Sequence, residues 1–514
     1  MSEDRIALQE DPLARARMML QSAEWAARDL RRLGSEQVDR IVQAVAVAAH
    51  SAAGRYAEWA VRETSFGVVE HKRTKNEIAS LGIAEHYANA DFVSPRVDEE
   101  RRIVEIPRPA GVVFALTPST NPISTLYFKV VLTLMTRNAI VLSPHPAARE
   151  CCVAAARELA QAAEAAGAPR DAVQVVEDPS IPLVEALMAD IRTRVILATG
   201  GTGVVRAAHR SGNPAIGVGP GNAPVVVDAT ADAAAAARDL VDSKAFDNSL
   251  LCSSESVLIA EEPIAEKLTA ALRQSGAHLC TPQERDQLRA FLFPDGHLNT
   301  AAVGKGAPWV AREAGLRVAA RTRTLLAPID LVVDEEPLAS EKMCPVLGFN
   351  TQRDLGAAIR AARGVLRIAG AGHSAAIHTS DPHHAIAFAQ AVDVLRVVVN
   401  APNSTGVAGF DTHLAPTMTV GTGFAGRSSL GANLGPEHLV NWSRLAYTKD
   451  RSVPFPDYAR LRPWERQPQS AGGDWPGRSD RGELSGDHGE VSAALREQIR
   501  RLVMEELRDL VEVG

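Results

Sequence analysis

Four short apolar runs, at residues 111–116, 139–142, 173–176 and 195–198, alternate with helical stretches at 124–135, 147–166 and 181–189. Parallel strands need a crossover connection, and a helix of this length supplies one. The pattern therefore commits the chain to an α/β fold with a mostly parallel sheet covered by helices on both faces. Such sheets bind ligands beyond the carboxyl ends of their strands, which points to segments 117–122, 143–146 and 199–203. A second α/β region opens with the Ala-rich helix 233–246 and carries strand-like runs at 256–260, 329–333, 375–378 and 397–400. Two facing lobes follow, with the cleft between them as the expected site.

The flanks read differently. Leu13, Ala16, Leu20, Ala23, Ala27 and Leu30 recur at helical spacing, as do Val38, Ile41, Val42, Val45 and Ala48, so residues 11–89 form a helical preface. The β-rich run 103–106 is followed by Pro107 and Pro109, which demote it to an edge strand or connector. Beyond residue 461 the chain turns rich in Gly, Ser, Pro and Asp, the composition of a flexible linker over 462–489. Val491, Leu495, Ile499, Leu502, Val503, Leu507, Leu510 and Val511 then share one helical face. A tethered amphipathic helix at 490–514 suits docking on a partner. The expected division is 1–232 for a cofactor domain with an edge segment near 98–108, 233–425 for a catalytic domain, and 426–461 for a return segment.

Charge narrows the function. With 55 Lys and Arg against 62 Asp and Glu, the 514-residue chain carries a net −7, which argues against a dedicated nucleic-acid binder. No run of 18 uncharged apolar residues occurs and the first residues are too polar for a secretory signal, so no membrane partner is expected and the location is cytoplasmic. Five cysteines do not suggest a disulfide framework. Cys151, Cys152, Cys280 and Cys344 read as small buried hydrophobes. His278 beside Cys280 lacks a second ligand pair, so no metal is expected.

Cys252 is different. It lies between a helix end and a strand start, where a thiol can face a cleft as a nucleophile. Thr199-Gly200-Gly201-Thr202-Gly203 follows a strand and opens a helix, so its backbone N–H groups suit a pyrophosphate. Gly217-Val218-Gly219-Pro220-Gly221-Asn222 reads by itself as a tight turn. These segments stand in one order with Thr117-Pro118-Ser119-Thr120-Asn121-Pro122, Ser143-Pro144-His145-Pro146, Glu341-Lys342-Met343-Cys344-Pro345 and Gly372-His373. The combination resembles the CoA-acylating branch of the aldehyde dehydrogenase superfamily over about residues 10–455. The resemblance implies the aldehyde dehydrogenase fold, a Rossmann-like cofactor domain plus an α/β catalytic domain, and an oligomer, homodimer or homotetramer.

It also implies roles. Cys252 would attack the aldehyde, Asn121 and the Cys252 backbone N–H would hold the oxyanion, and His373 would lie near the reacting centre. Thr117, Pro118, Ser143, His145, Pro146, Gly200, Gly201, Thr202 and Gly219 would line the cofactor site, with Glu341 on the nicotinamide ribose. Taken residue by residue, His373 also fits a packed polar side chain, Glu341 a cap or a salt bridge to Lys342, and Asn121 a turn before Pro122. Hydrolytic relatives carry a glutamate before a Gly-Gly pair to activate water; the matching stretch here is Gly217-Val218-Gly219-Pro220-Gly221, without a carboxylate. That favours attack by a thiol such as CoA on the acyl-enzyme.

Ser143-Pro144 stands where many hydrolytic relatives have Lys-Pro, and no Arg or Lys pair is set for a 2′-phosphate, although Arg149 is near. NAD is therefore expected over NADP. The expected reaction takes a short-chain aldehyde, NAD and CoA to an acyl-CoA. The tail resembles the peptides that direct enzymes into bacterial microcompartments, which implies shell proteins as partners and the microcompartment lumen as the location. A hydrolytic dehydrogenase, an acyl-phosphate reductase and a silent scaffold are the competing readings.

Overall fold

The computed structural model describes residues 11–458 and Arg462. The expected linker and terminal helix lie outside the described residues. The preface is four main helices, Pro12–Leu30, Ser35–Ser51, Ala53–Thr64 and Val69–Glu77. Asp11 starts the first by accepting the Leu13 and Ala14 N–H groups, which otherwise have no partner at a helix N-terminus. Its periodic residues Ala16, Leu20, Ala23, Ala27 and Leu30 are buried, whereas Leu13 stays exposed.

In chain order the first strands are β1 (Arg96–Asp98), β2 (Ile103–Pro109), β3 (Val112–Thr117), β4 (Ala139–Pro144), β5 (Val173–Val175), β6 (Thr193–Thr199) and β7 (Ala215–Val218). Strands β3 to β7 form a parallel sheet in the order β5-β4-β3-β6-β7. The chain leaves β3 in one direction and returns to β6 on its other side. A crevice therefore opens at the carboxyl ends of β3 and β6, at Thr117 and Thr199. Every residue of β3 and β4 is buried, which is why these strands read as continuous apolar runs.

The remaining strands are β8 (Ala223–Val227), β9 (Glu255–Glu261), β10 (Ala277–Leu279), β11 (Thr324–Pro328), β12 (Val346–Gln352), β13 (Ala375–His378), β14 (Val397–Val399) and β15 (Val440–Ala446). Seven of them, β8 to β14, build a second parallel sheet ordered β10-β11-β12-β9-β8-β13-β14. The switch between sheets thus falls between Val218 and Ala223, earlier than the expected 232/233 boundary. The strand expected at 329–333 lies instead at Thr324–Pro328. Ile329 is buried, but Leu331 is two-thirds exposed, so the β-branched residues after it mark a surface turn.

The third sheet is β1-β2-β15, with β2 antiparallel to both neighbours. The proline-bearing strand is therefore the middle one, contrary to the edge expectation. Register explains how: β1 covers only Ile103 to Glu105, while Pro107 and Pro109 face Trp442 and Val440 of β15 alone. Each proline lacks an N–H only where one neighbour is present. Among the described residues no helix is long and apolar enough to cross a membrane.

Candidate active site

The two parallel sheets use opposite ends. Segments 117–122, 143–146 and 199–203 leave the carboxyl ends of β3, β4 and β6, and the turn at 219–222 follows β7. Cys252 and His373, however, precede the starts of β9 and β13. Those strands flank β8, which Gly221 precedes, so three entry loops lie side by side.

The closeness is literal at Gly221: a Cβ there would lie 1.8 Å from the Cys252 carbonyl oxygen. On the other flank, a Cβ at Gly370 would stand 2.6 Å from the Asn222 nitrogen, and Gly370 has φ +82°. These glycines are required by approach of backbone to backbone, not by turn geometry alone.

His373 Nε2 lies 3.1 Å from Cys252 Sγ, and its Nδ1 lies 2.9 Å from Ser374 Oγ. For Nε2 to accept the thiol proton, Nδ1–H must donate to Ser374 Oγ. Burial, with Arg396 adding to it, holds His373 down at about 3. Burial, and then the Glu341 carboxylate, pushes the Cys252 thiol up to about 12. The resting pair is thus a neutral thiol beside a neutral imidazole. Any attack by this sulfur would have to be coupled to its deprotonation, and Nε2 stands within hydrogen-bond reach of that proton.

Arg396 clamps this loop. Its guanidinium donates to the carbonyls of His373 (3.1 Å), Gly372 (3.1 Å), Gly431 (2.9 Å) and Gly421. Sequence reasoning missed it, because a single Arg in Val-Leu-Arg-Val carries no signal of four carbonyl partners.

A cavity of about 820 Å³ joins the two ends. Of the expected residues, Thr117, Pro118, Asn121, Ser143, His145, Pro146, Gly200, Gly201, Gly219, Cys252 and Glu341 line it. Thr202 and His373 do not: Thr202 is the first residue of helix Thr202–Arg210, and His373 sits behind Cys252, fully buried. The helix Ile181–Ala189 adds Ile181, Val184, Glu185 and Met188 to the wall, which the sequence reading did not foresee. Glu185 and Glu341 are the carboxylates of this wall among the described residues.

Asn121 precedes helix Pro122–Met135 but makes no side-chain cap bond. Its Nδ2 donates instead to Leu250 O at 3.0 Å, on the chain leading to Cys252. Lys342 turns away from Glu341 and donates to the carbonyls of Ser256, Leu338 and Ser340. Glu341 thereby remains on the cavity wall; burial pushes it up to about 7, with Lys244 and Lys342 opposing. Lys129, fully buried, ties the crevice together by donating to Leu116 O (2.6 Å), Leu197 O (3.0 Å) and Thr199 Oγ1 (2.9 Å).

The residues present fit a dinucleotide. Helix Thr202–Arg210 starts without a side-chain cap, and added Cβ atoms at Gly201, Gly203 and Gly219 would meet nothing, so its open N–H groups border free space. Elsewhere His278, Cys280 and Glu284 offer ligand atoms within 4.8 Å of one another. Glu284 is there engaged in a capping box with Thr281 and in contact with His278, which accounts for the cluster.

A parallel sheet of the dinucleotide-binding type thus faces a partly buried cysteine in contact with a buried histidine. The aldehyde dehydrogenase family model matches residues 7–288. The bifunctional aldehyde-alcohol dehydrogenase AdhE of Escherichia coli K12 is 36% identical over 440 residues, 84% of this chain and 49% of that protein. The chain thus spans about half the length of the curated bifunctional relatives it matches. An acetylating aldehyde dehydrogenase from Geobacillus thermoglucosidasius is 37% identical, with a TM-score of 0.84 over 86% of this chain and 98% of that one. Propionaldehyde dehydrogenase of Rhodopseudomonas palustris, solved with bound CoA and an acylated cysteine, is 28% identical, with a TM-score of 0.76 over 84% and 97% of the two chains. The chain belongs to the aldehyde dehydrogenase family.

Proposed function

We propose that the chain oxidises a short-chain aldehyde with NAD and passes the acyl group to CoA. The carrying observation is Cys252 Sγ at 3.1 Å from His373 Nε2, beside a cavity whose wall at Val218, Gly219 and Pro220 bears no carboxylate. His373 takes the thiol proton as sulfur attacks the aldehyde carbon. The resulting oxyanion faces the Cys252 N–H and the Asn121 amide, donors already in place before charge develops. Gly200, Gly201 and Thr202 would hold the NAD pyrophosphate and Glu341 the nicotinamide ribose; when bound, NAD supplies the hydride acceptor. The thioester left on Cys252 then meets a thiol, a far better nucleophile than unassisted water. His373 gives its first proton up to solvent, accepts the incoming thiol's proton and returns it to the departing Cys252 sulfur, so one proton is released per turnover and the neutral thiol is restored.

The preference for NAD is supported by Arg149, which is turned onto Asp178 at 3.1 Å instead of standing ready for a 2′-phosphate. The test is NADH formation by the purified chain with short aldehydes, with and without CoA, beside Cys252→Ala. Sustained turnover only with CoA, abolished in Cys252→Ala, is expected. Equal turnover without CoA would make the enzyme hydrolytic.

Two partner proposals rest on sequence. The composition of 462–489 and the helical apolar periodicity of 490–514 support docking of that tail on microcompartment shell proteins; deleting 465–514 should spare activity and abolish co-purification with shells, and retained encapsulation would refute it. The family resemblance supports a homodimer or homotetramer, which light scattering would detect and a monomer would refute.

A further inference from the structure

Five of the chain's eight lysines are buried, and two of them, Lys72 and Lys75, meet at the buried Asp247, one residue behind the cavity wall. Their side chains are 4%, 1% and 0% exposed. Lys75 Nζ donates to Asp247 Oδ2 and also to Asn121 Oδ1. Lys72 Nζ donates to Asp247 Oδ2 at 3.1 Å and to Thr120 O at 2.8 Å. We propose that Lys75 is a positioning residue of the reaction, fixing the Asn121 carboxamide so that its N–H is aimed at the oxyanion formed on Cys252. The proposal rests on the acyl-transfer reading above.

The argument starts from the amide. Its oxygen and nitrogen ends have nearly the same shape, so only partners decide which way it faces. An ammonium group has donors alone, and Lys75 therefore captures the oxygen end. The nitrogen end is left toward Leu250 O at 3.0 Å, while its other contact, Thr120 Oγ1, is a long 3.4 Å on the cavity wall. One amide hydrogen thus remains for an acceptor arriving in the cavity.

Charge supports the same assignment. Two ammonium groups share one carboxylate, leaving an excess positive charge in a nearly water-free place, which is costly unless a negative charge appears nearby. The transition state supplies one. Burial lowers Lys75 to about 8 while Asp247 opposes the shift, so the cation still predominates at neutral pH. The carboxylate also reaches the nucleophile's loop: Asp247, Asn248 and Ser249 have φ of +48°, +53° and +65° and lead directly to Cys252. Asp247 Oδ1 accepts the Val68 N–H at 2.7 Å, and the Asp247 N–H donates to His71 Nδ1 at 2.8 Å, anchoring that backbone. One buried group therefore holds oxyanion donor and nucleophile loop in register.

The experiment is a double-mutant cycle of Lys75→Met and Asn121→Ala, read by single-turnover NADH formation and by iodoacetamide alkylation of Cys252. Lys75→Met should slow acyl-enzyme formation by roughly 10²- to 10³-fold, the loss seen when an oxyanion donor is removed. The double variant should be no slower than Asn121→Ala alone. Alkylation builds no oxyanion and should stay within about twofold of the unmodified chain. Multiplicative losses, an unchanged Lys75→Met rate, or alkylation falling in parallel would each overturn the assignment. Lys75→Met leaves Lys72 and Asp247 as a one-to-one pair; should it still fail to fold, Lys75→Gln, uncharged and shorter but polar toward Asp247, is expected to slow the same step. Failure of the parent chain to need CoA would refute the acyl-transfer reading, independently of the cycle.

Discussion

Gly221→Ala isolates the packing of the three entry loops. The new Cβ would stand 1.8 Å from the Cys252 carbonyl oxygen, where real contacts keep at least 3.0 Å, so a separation of 3.0 − 1.8 = 1.2 Å must be found. The β8 side has little room to give: Asn222 is buried, with Nδ2 donating to Ala339 O (3.1 Å) and Val365 O (3.0 Å), and Gly370 presses on its backbone. The Cys252 loop must move instead, and a displacement of that size takes Sγ out of the 3.1 Å contact with His373. Misplacing a reacting group by about 1 Å costs on the order of 10²-fold. Overpacking should cost about 1–3 kcal/mol of stability. Single-turnover NADH formation at saturating aldehyde, with thermal unfolding in parallel, is the assay. A variant that reacts within threefold of the parent and melts at the same temperature would refute the claim that the Gly221 contact sets the nucleophile.

The ionisation states of Glu341 and His373 set three pH dependences. Burial pushes Glu341 up to about 7, so its carboxylate fraction grows as pH rises through neutrality and KM for NAD should fall between about pH 6 and 8; Glu341→Gln should give a flat profile. For stability the sign is opposite: the raised value contributes fully below the ordinary 4.5 and is lost as pH rises through about 7, which urea unfolding of parent and Glu341→Gln across that range would reveal. His373, held at about 3 chiefly by burial, should leave kcat/KM for aldehyde without an acid limb near 6.5 at saturating NAD, while His373→Ala lowers it by about 10²–10⁴. A limb near 6.5 that vanishes in His373→Ala would show a solvated imidazole instead.

Much of the site was legible because its parts are local. The β6 run followed by Gly200 and Gly201 displays a strand, a turn and a helix start within consecutive residues, and the structure builds that succession. Cys252 likewise sits between helix Ala233–Ala245 and β9, as its flanks imply. Pairings that depend on register were not legible: β2 reads as an edge strand because its prolines are visible, whereas the short cover by β1 is not. Lys72 and Lys75 carry no motif of their own, since lysines in a polar helix ordinarily face solvent.

Sequence by itself determined the α/β alternation, the glycines that keep backbone positions open, and the absence of a carboxylate between Gly217 and Gly221. Each is a property of neighbouring residues, set by sterics and period. Tertiary structure alone decided that Cys252 meets His373 across 121 positions and that Lys75 meets Asp247 across 172. Strand order differs from chain order, and putting β8 between β9 and β13 is what brings those loops together. The neutral state of the thiol and imidazole was decided there too, because water exclusion belongs to the assembled packing and not to either side chain.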